Sequence, residues 1–213
     1  MNARFMGVEL LVERGVLIPR AETELLGLSA LELAHDHARI IDMCCGSGNL
    51  ACALATHLPK SRVWASDLTA ACVALARRNA EYARVARRVS VVQGDLFSGL
   101  NHLAGTIDLV VCNPPYISHA KLAGERALLL ENEPREAFDG GPYGLTVHQR
   151  VVREALPFLK PGGWLLFEIG AGQERQVRLL IERTRAYQDL RTVADAAGEV
   201  RVVGARKINT KGN

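Results

Sequence analysis

The sequence predicts an α/β fold: one mostly parallel sheet of seven strands with a single reversed strand near the C-terminal end, and a β-hairpin at the N-terminus. Three observations carry this. From Arg39 onward, short apolar runs alternate with stretches of helical periodicity, the pattern of right-handed βαβ units. The last two runs, Leu190–Ala194 and Val200–Ala205, are separated only by Asp195–Glu199, too few residues for a parallel crossover, so that pair is antiparallel. The chain has 213 residues, 48% hydrophobic and 23% charged, an ordinary globular balance that needs no disulfide or metal staple.

The elements follow in order. Val8–Val12 and Val16–Ile18, joined through Arg14-Gly15, form the hairpin, and Thr23 caps a helix running through Leu33. Residues 1–30 are thus expected as a small piece that packs on the main domain, 31–213, or covers its ligand site. Ala38–Met43 is a buried strand, followed by a helix over Asn49–His57 that Pro59 ends. Arg62–Ser66 is the second strand, and Thr69–Ala83 a helix with Thr69 as its N-cap. Val89–Gln93 and Ile107–Cys112 are the third and fourth strands, the latter stopped by Pro114 and Pro115. Thr146–Leu159 has helical periodicity, Pro161-Gly162-Gly163 is a turn, Trp164–Ile169 the fifth strand and Glu174–Gln188 an amphipathic helix.

Several function classes fall away. No apolar run approaches the ~18–20 residues of a membrane span, and Met1–Leu11 lacks the apolar core of a signal peptide, so a cytoplasmic protein without a membrane partner is expected. The net charge of +3 is weak for a polyanion binder, and Arg77, Arg78, Arg84, Arg87 and Arg88 read as a solvated helix face. Cys44, Cys45, Cys52, Cys72 and Cys112 fit no zinc spacing and read as reduced, small hydrophobes; no metal is expected.

In an open parallel sheet, ligands bind at the carboxyl ends of the strands near the point where strand order reverses. The first strand ends in Asp42-Met43-Cys44-Cys45-Gly46-Ser47-Gly48, whose glycines allow a tight turn and close backbone approach before a helix N-terminus. The second ends at Asp67-Leu68, about twenty residues on, where a carboxylate can accept from both hydroxyls of a ribose. After the third come Asp95 and Leu96, a polar group and an apolar wall for an adenine. These features fit a nicotinamide dinucleotide and S-adenosylmethionine equally.

The fourth strand separates the two. In Asn113-Pro114-Pro115-Tyr116 the prolines fix the backbone and remove two N–H donors. The Asn113 side-chain oxygen and the Pro114 carbonyl then offer two acceptors to a planar –NH2 group, with Tyr116 as a flat lid. Such a socket returns electron density to a poor amide or aromatic amine nucleophile and aligns it with a sulfonium methyl. The six histidines, His35, His37, His57, His102, His119 and His148, show no constellation and are expected at the surface or at helix ends. Glu168 and Asp139 are candidate supporting carboxylates.

Asn113–Tyr116 resembles the NPPY signature of amino-group methyltransferases, and three further segments resemble the bacterial release factor glutamine methyltransferases. These are Val16–Glu24 (VLIPRAETE), Glu133–Gly141 with Gly144-Leu145 (EPREAFDGG, GL), and Asp195 through Arg201 ahead of Val202-Val203. The resemblance spans about residues 5–207 and implies a Rossmann-like class I methyltransferase domain that transfers a methyl group from S-adenosylmethionine to the side-chain N5 of a glutamine in a Gly-Gly-Gln loop of a termination factor. Residue by residue it implies that Asp42 and Cys44–Gly48 (Cys44, Cys45, Gly46, Ser47, Gly48) hold the cofactor's amino-acid part, and Asp67 with Leu68 the ribose. Asp95 and Leu96 would line the adenine pocket; Asn113, shared with the cofactor, and Pro114, Pro115 and Tyr116 would hold the amide. Arg20, Glu22 and Thr23 would belong to a substrate or lid segment. The chain departs from the family pattern in Cys44-Cys45, where a glycine and a small residue are usual, and in Ala21, where a second proline is usual. It begins almost at the hairpin, so the family's N-terminal helical domain is expected to be missing. Eukaryotic relatives without that domain work with a partner subunit. A small-molecule acceptor in a biosynthetic setting and a nucleic-acid base amine remain alternatives, the latter disfavoured by charge and length.

Overall fold

The structure, a computed structural model, describes residues 2–124 and 133–209. Its sheet comprises β3 (Arg39–Met43), β4 (Arg62–Asp67), β5 (Val89–Gln93), β6 (Ile107–Cys112), β7 (Leu159–Glu168), β8 (Tyr187–Ala194) and β9 (Val200–Lys207). The spatial order is β5-β4-β3-β6-β7-β9-β8, with only β9 antiparallel to its neighbours. That is the expected parallel sheet with one reversed strand. Order reverses between β3 and β6, so a crevice opens at their carboxyl ends.

Burial on both faces explains the continuous apolar run of β3, in which Ile40 and Ile41 are both buried but belong to opposite cores. On one face, Ile40, Val63 and Leu109 pack under α1 (Glu24–Leu33), α2 (Asn49–His57) and α3 (Ala70–Tyr82). On the other, Ile41, Val110 and Phe167 pack under α5 (Thr146–Glu154) and α6 (Glu174–Glu182). Both α5 and α6 bury residues at helical spacing, His148, Val151 and Val152 in one and Val177 and Ile181 in the other. Thr69 caps α3, its hydroxyl accepting from Cys72 N at 3.3 Å.

Several elements differ from expectation. The hairpin pairs β1 (Asn2–Phe5) with β2 (Val8–Leu11) through Met6-Gly7, not Val8–Val12 with Val16–Ile18 through Arg14-Gly15. Met6 and Gly7 both have positive φ, 46° and 80°, as a two-residue turn matching strand twist requires. The register places Phe5, Val8 and Leu10 inward. Asn79 of α3 clamps the hairpin, donating to Leu11 O at 3.1 Å and to Ser47 O at 2.9 Å, and accepting from Leu11 N at 2.7 Å. Thr23 does not cap α1: its φ and ψ are helical, a short 3₁₀ turn over Ala21–Thr23 leads into the helix, and its hydroxyl bonds elsewhere.

The α5 helix ends at Glu154 rather than Leu159, because Pro157 disfavours helix in the residue before it. Leu159 already belongs to β7, which runs through Pro161-Gly162-Gly163 with a register shift instead of turning there. A bulge tolerates a proline that a regular central strand does not. The α6 helix ends at Glu182 rather than Gln188. Thr184 Oγ1 donates to Ile181 O at 2.8 Å and accepts from Ala186 N at 3.2 Å, and Arg185 turns left-handed, so Tyr187 starts β8. Of the arginines around α3, Arg77, Arg78, Arg84 and Arg87 are exposed, as expected, and Arg88 is half-buried. Arg77 donates to Val91 O, Arg88 to Ala55 O and Leu58 O, and Arg78 pairs with Glu13.

Candidate active site

The candidate site lies at the carboxyl ends of β3 to β6. Asp42, on β3, is 1% exposed, and its Oδ2 accepts from Ala51 N in the first turn of α2 at 3.0 Å. Burial, the largest cause, and the Asp67 carboxylate push its pKa up to about 7. Its Oδ1 and the Ser47 hydroxyl are buried and carry no hydrogen bond among the described residues. Both residues line a narrow recess with Cys44, Cys45, Gly46, Asn49 and Asn113.

The loop between β3 and α2 is tightly wound. Gly48 N donates to Cys45 O at 2.8 Å, and Cys45 N to Ser66 O at 3.1 Å. Gly48 has φ 75°, and a Cβ there would sit 3.0 Å from the Ala76 Cβ, so only glycine lets α3 approach the loop. Cys44 occupies the left-handed region at φ 60°, where a glycine is at ease and a cysteine is strained. The five cysteines are free thiols, and burial raises the pKa of Cys45 and Cys112 and takes Cys52 and Cys72 to about 12. No cluster of three or more metal-ligating side chains occurs among the described residues.

Asp67 closes the loop from β4. Its Oδ2 accepts from Gly46 N at 2.9 Å and its Oδ1 from Thr69 N at 3.1 Å. Leu68 is exposed, and Leu96 is buried, its carbonyl accepting from the Ser66 hydroxyl at 2.8 Å. Asp95 faces solvent, and both its oxygens accept from Arg150 Nη1, at 2.8 and 3.1 Å.

A cleft of about 660 Å³ adjoins the recess and is lined by Asn113, Pro114, Tyr116, Glu168 and Arg201, with Arg20 and Glu22 on the N-terminal side. Asn113 Nδ2 donates to the Thr23 hydroxyl at 3.1 Å. Tyr116 OH donates to Glu168 Oε1 at 3.2 Å, and Gln173 Nε2 donates to Tyr116 O at 2.9 Å. Burial first, then the Glu168 carboxylate, pushes the Tyr116 phenol up to about 12, so it stays a donor. Glu168 is 2% exposed, and burial raises its pKa above the usual carboxylate value, with Thr23, Arg201 and Tyr116 acting against that rise. Arg20 pairs with Glu133, which also accepts from Ile18 N at 2.9 Å, tying the Val16–Arg20 segment across the cleft mouth.

Of the residues expected from sequence, Asp42, Cys44–Ser47 and Asn113 share the recess, Pro114 and Tyr116 with Arg20 and Glu22 share the cleft, and Gly48, Asp67, Leu68, Asp95, Leu96 and Pro115 line neither. Thr23 joins the recess to Asn113. Arg201 and Gln173 carried no signal of their own beyond Arg201's place in the C-terminal segment. His148, expected at the surface or a helix end, is fully buried in α5. Its Nε2 lies 3.2 Å from Glu168 O, and burial lowers its pKa to about 4. It is a core residue because α5 turns that face onto β7, 5.1 Å from the Phe167 ring.

Comparison with known proteins fits this geometry. Residues 21–131 match the family described as the methyltransferase small domain. A release factor glutamine methyltransferase of Geobacter sulfurreducens is 41% identical over 202 residues, 95% of this chain and 69% of that protein. One of a Synechocystis species is 36% identical over 203 residues, 91% of this chain and 67% of that protein. A solved methyltransferase from Pyrococcus furiosus superposes with a TM-score of 0.69 at 18% identity, covering 95% of this chain and 90% of that one. A ribosomal protein L11 methylase from Lactobacillus delbrueckii gives 0.62 at 18%, covering 90% and 80%. These two show the fold. No described helix is long and apolar enough to cross a membrane. With the family segments brought together on one crevice and identity above 30% over most of its length, the chain belongs to the release factor glutamine methyltransferase family.

Proposed function

We propose that this protein methylates the side-chain amide nitrogen of a glutamine in a translation release factor, using S-adenosylmethionine. The observation that carries this is the orientation of Asn113. With Nδ2 committed to Thr23, its Oδ1 is left to accept, beside Pro114, at the junction of recess and cleft. Two acceptors suit a group that brings two N–H bonds and nothing to accept with.

The recess fits the cofactor's polar end. The unpartnered Asp42 Oδ1 and Ser47 Oγ are buried groups that call for a polar ligand, and nothing fills the space where Gly46 would carry a Cβ. Asp67, at the rim, would accept from ribose hydroxyls, and Leu68, Asp95 and Leu96 would border the base. When bound, the cofactor supplies an electrophilic sulfonium methyl. The chain's part is to hold both N–H bonds of the amide on acceptors so that density returns to nitrogen, and to align it. Tyr116 closes the socket, and Pro115 fixes the turn. Arg20 and Glu22 edge the acceptor's entry.

The purified protein, S-adenosylmethionine and a bacterial release factor test this by mass spectrometry. A gain of 14 Da on the Gly-Gly-Gln glutamine is expected. Asn113→Ala should bind cofactor normally in calorimetry yet lose at least about 100-fold in turnover, the scale of a lost oriented acceptor. Full turnover by that variant, or methyl transfer only to a small molecule, would overturn the reading.

A further inference from the structure

Pro114 and Pro115 bring no N–H, so at those two positions the Asn113–Tyr116 turn cannot be closed by hydrogen bonds of its own. Its geometry has to be held from outside. Just past the turn, Ile117 N donates to Phe138 O and Gly140 N to Ile117 O, both at 2.9 Å. Between those bonds and the prolines stands the Tyr116 carbonyl, and its partner is the side chain of Gln173.

Gln173 occupies the N-cap position of α6, where serine, threonine, aspartate or asparagine would bond the helix's free N–H groups. Its side chain makes no such bond. The whole amide goes instead to the backbone of three other segments. Nε2 donates to Tyr116 O at 2.9 Å and to Gly144 O at 3.3 Å, and Oε1 accepts from Gly170 N at 2.9 Å. Gln173 N in turn donates to Gly170 O at 3.1 Å, which anchors the clamp to the chain leaving β7.

These bonds suit a glutamine and little else. Two carbonyl oxygens that face one point repel each other unless a group with two N–H bonds stands between them, and an amide nitrogen is such a group. The approach is close: Gly144 has φ 72°, and a Cβ there would run into Tyr116 O. The other end of the amide must accept from Gly170 N. A carboxylate of the same shape meets one of the three bonds and opposes two, and an alkyl side chain meets none. Gln173 also lines the cleft with Asn113, Pro114 and Tyr116. A Cβ on Gly170 would come 3.1 Å from Tyr116 Cδ2, so the Tyr116 ring and carbonyl are both seated on the Gly170–Gln173 turn.

We propose that Gln173 is a positioning residue: acting through the Tyr116 carbonyl, it fixes the Asn113–Tyr116 turn against the Gly140–Leu145 loop and the end of β7, so that the Pro114 carbonyl and the Tyr116 ring meet the incoming –NH2 group in place. This rests on the methyltransferase reading above. None of the Gln173 side-chain bonds reaches the loop between β3 and α2, so its loss leaves the cofactor recess as it is.

The test is kcat and both KM values from pH 8 to pH 5 for wild type, Gln173→Leu and Gln173→Glu, each checked for native melting. In Gln173→Leu, kcat should fall at least about 10-fold with cofactor KM within about twofold. At pH 8 Gln173→Glu should be no faster, because an ionised carboxylate faces two carbonyl oxygens. Those oxygens raise its pKa, and once protonated it can donate to Tyr116 O and still accept from Gly170 N. Its kcat relative to wild type at the same pH should therefore rise at least about threefold from pH 8 to pH 5, while the ratio for Gln173→Leu stays flat. The ratio cancels the groups that both proteins share: Arg20, Glu22, Tyr116, Lys121, Glu168 and Arg201 around the cleft, Asp139 with His119 beside the Gly140 loop, and Glu174 on α6.

Wild-type kcat in Gln173→Leu, a cofactor KM that rises in step with the loss of kcat, or a Gln173→Glu ratio as flat as that of Gln173→Leu would overturn the proposal. Hydrogen exchange separates it from the reading it rests on. The Ile117 and Gly140 amides should exchange at least about fivefold faster in Gln173→Leu, with those of β3 unchanged. If they do so while the wild type methylates no release factor, the clamp stands and the acceptor is wrong. If they exchange as in the wild type, the clamp is wrong whatever the acceptor.

Discussion

Asp42 presents a conflict within one residue. Its carboxylate caps the N–H of Ala51, yet burial holds its pKa near 7 in the folded chain against 3.8 as the ordinary value. Between those values the folded state keeps a proton that the unfolded state has lost. Stability therefore falls as pH rises from about 4 to about 7, by on the order of 4 kcal/mol in all. Asp42→Asn keeps an oxygen for Ala51 and cannot ionise. It should match the wild type in urea denaturation near pH 4 and exceed it at pH 8; equal stability at both would show that the carboxylate is not destabilised. The same proton competes with a cationic ligand end, so S-adenosylmethionine affinity in calorimetry should weaken below about pH 7 in the wild type and lose that dependence in the variant. At this scale, Asp67 and Asn113–Tyr116 are legible in sequence because each follows a strand end. Glu168 and Thr23 are candidates in the sequence too, but their partners, like those of His148, are not legible there, because they lie elsewhere along the chain and only the packed sheet brings them together.

Among the elements, the segment Arg135–Leu145 behaves as a strap on the turn Asn113–Ile117. Ile117 N donates to Phe138 O and Gly140 N to Ile117 O, both at 2.9 Å, and Gln173 Nε2 bonds Tyr116 O and Gly144 O together. A Cβ on Gly140 would meet Pro115 O and Gly144 Cα, each at 2.7 Å, and both are backbone atoms that cannot swing away. Gly140→Ala should therefore displace the turn after Pro115 and lower kcat by at least about 10-fold, as misplacement of about an ångström does. Cofactor affinity should hold within about threefold because the loop between β3 and α2 makes none of these contacts. Loss of affinity equal to the loss of kcat would mean that the strap supports both sites. Element boundaries were legible where a proline or strand pattern is decisive, as in β5, β6 and α2. They were misread where two X-Gly turns compete for the hairpin and where Thr184 ends α6 through its side chain, since periodicity continues past both points.

For the molecule as a whole, strand order was not written in any single segment; the alternation of runs and the short final connection implied the parallel sheet with its reversed strand, and the crevice followed from where that order turns. The recess draws on the ends of β3 and β6 and the start of α2; Asp67 of β4 holds its loop through Gly46 N, and Asn79 ties that loop to the hairpin. Both cores share β3 and β6 as common walls, so a ligand held at those strand ends is coupled to the unfolding of the entire sheet rather than to a local loop. A ligand that binds only the folded chain at about 100 times its dissociation constant stabilises it by about 2.7 kcal/mol. For a domain of this size that is a rise of about 5–10 °C in melting temperature. S-adenosylhomocysteine should produce that rise as a single sharper transition, and Asp67→Ala, which removes the Gly46 and Thr69 contacts along with the ribose acceptor, should abolish it at the same ligand concentration. A shift that survives in Asp67→Ala, or a transition that splits in two on adding ligand, would place the ligand elsewhere or show that the hairpin and sheet melt separately.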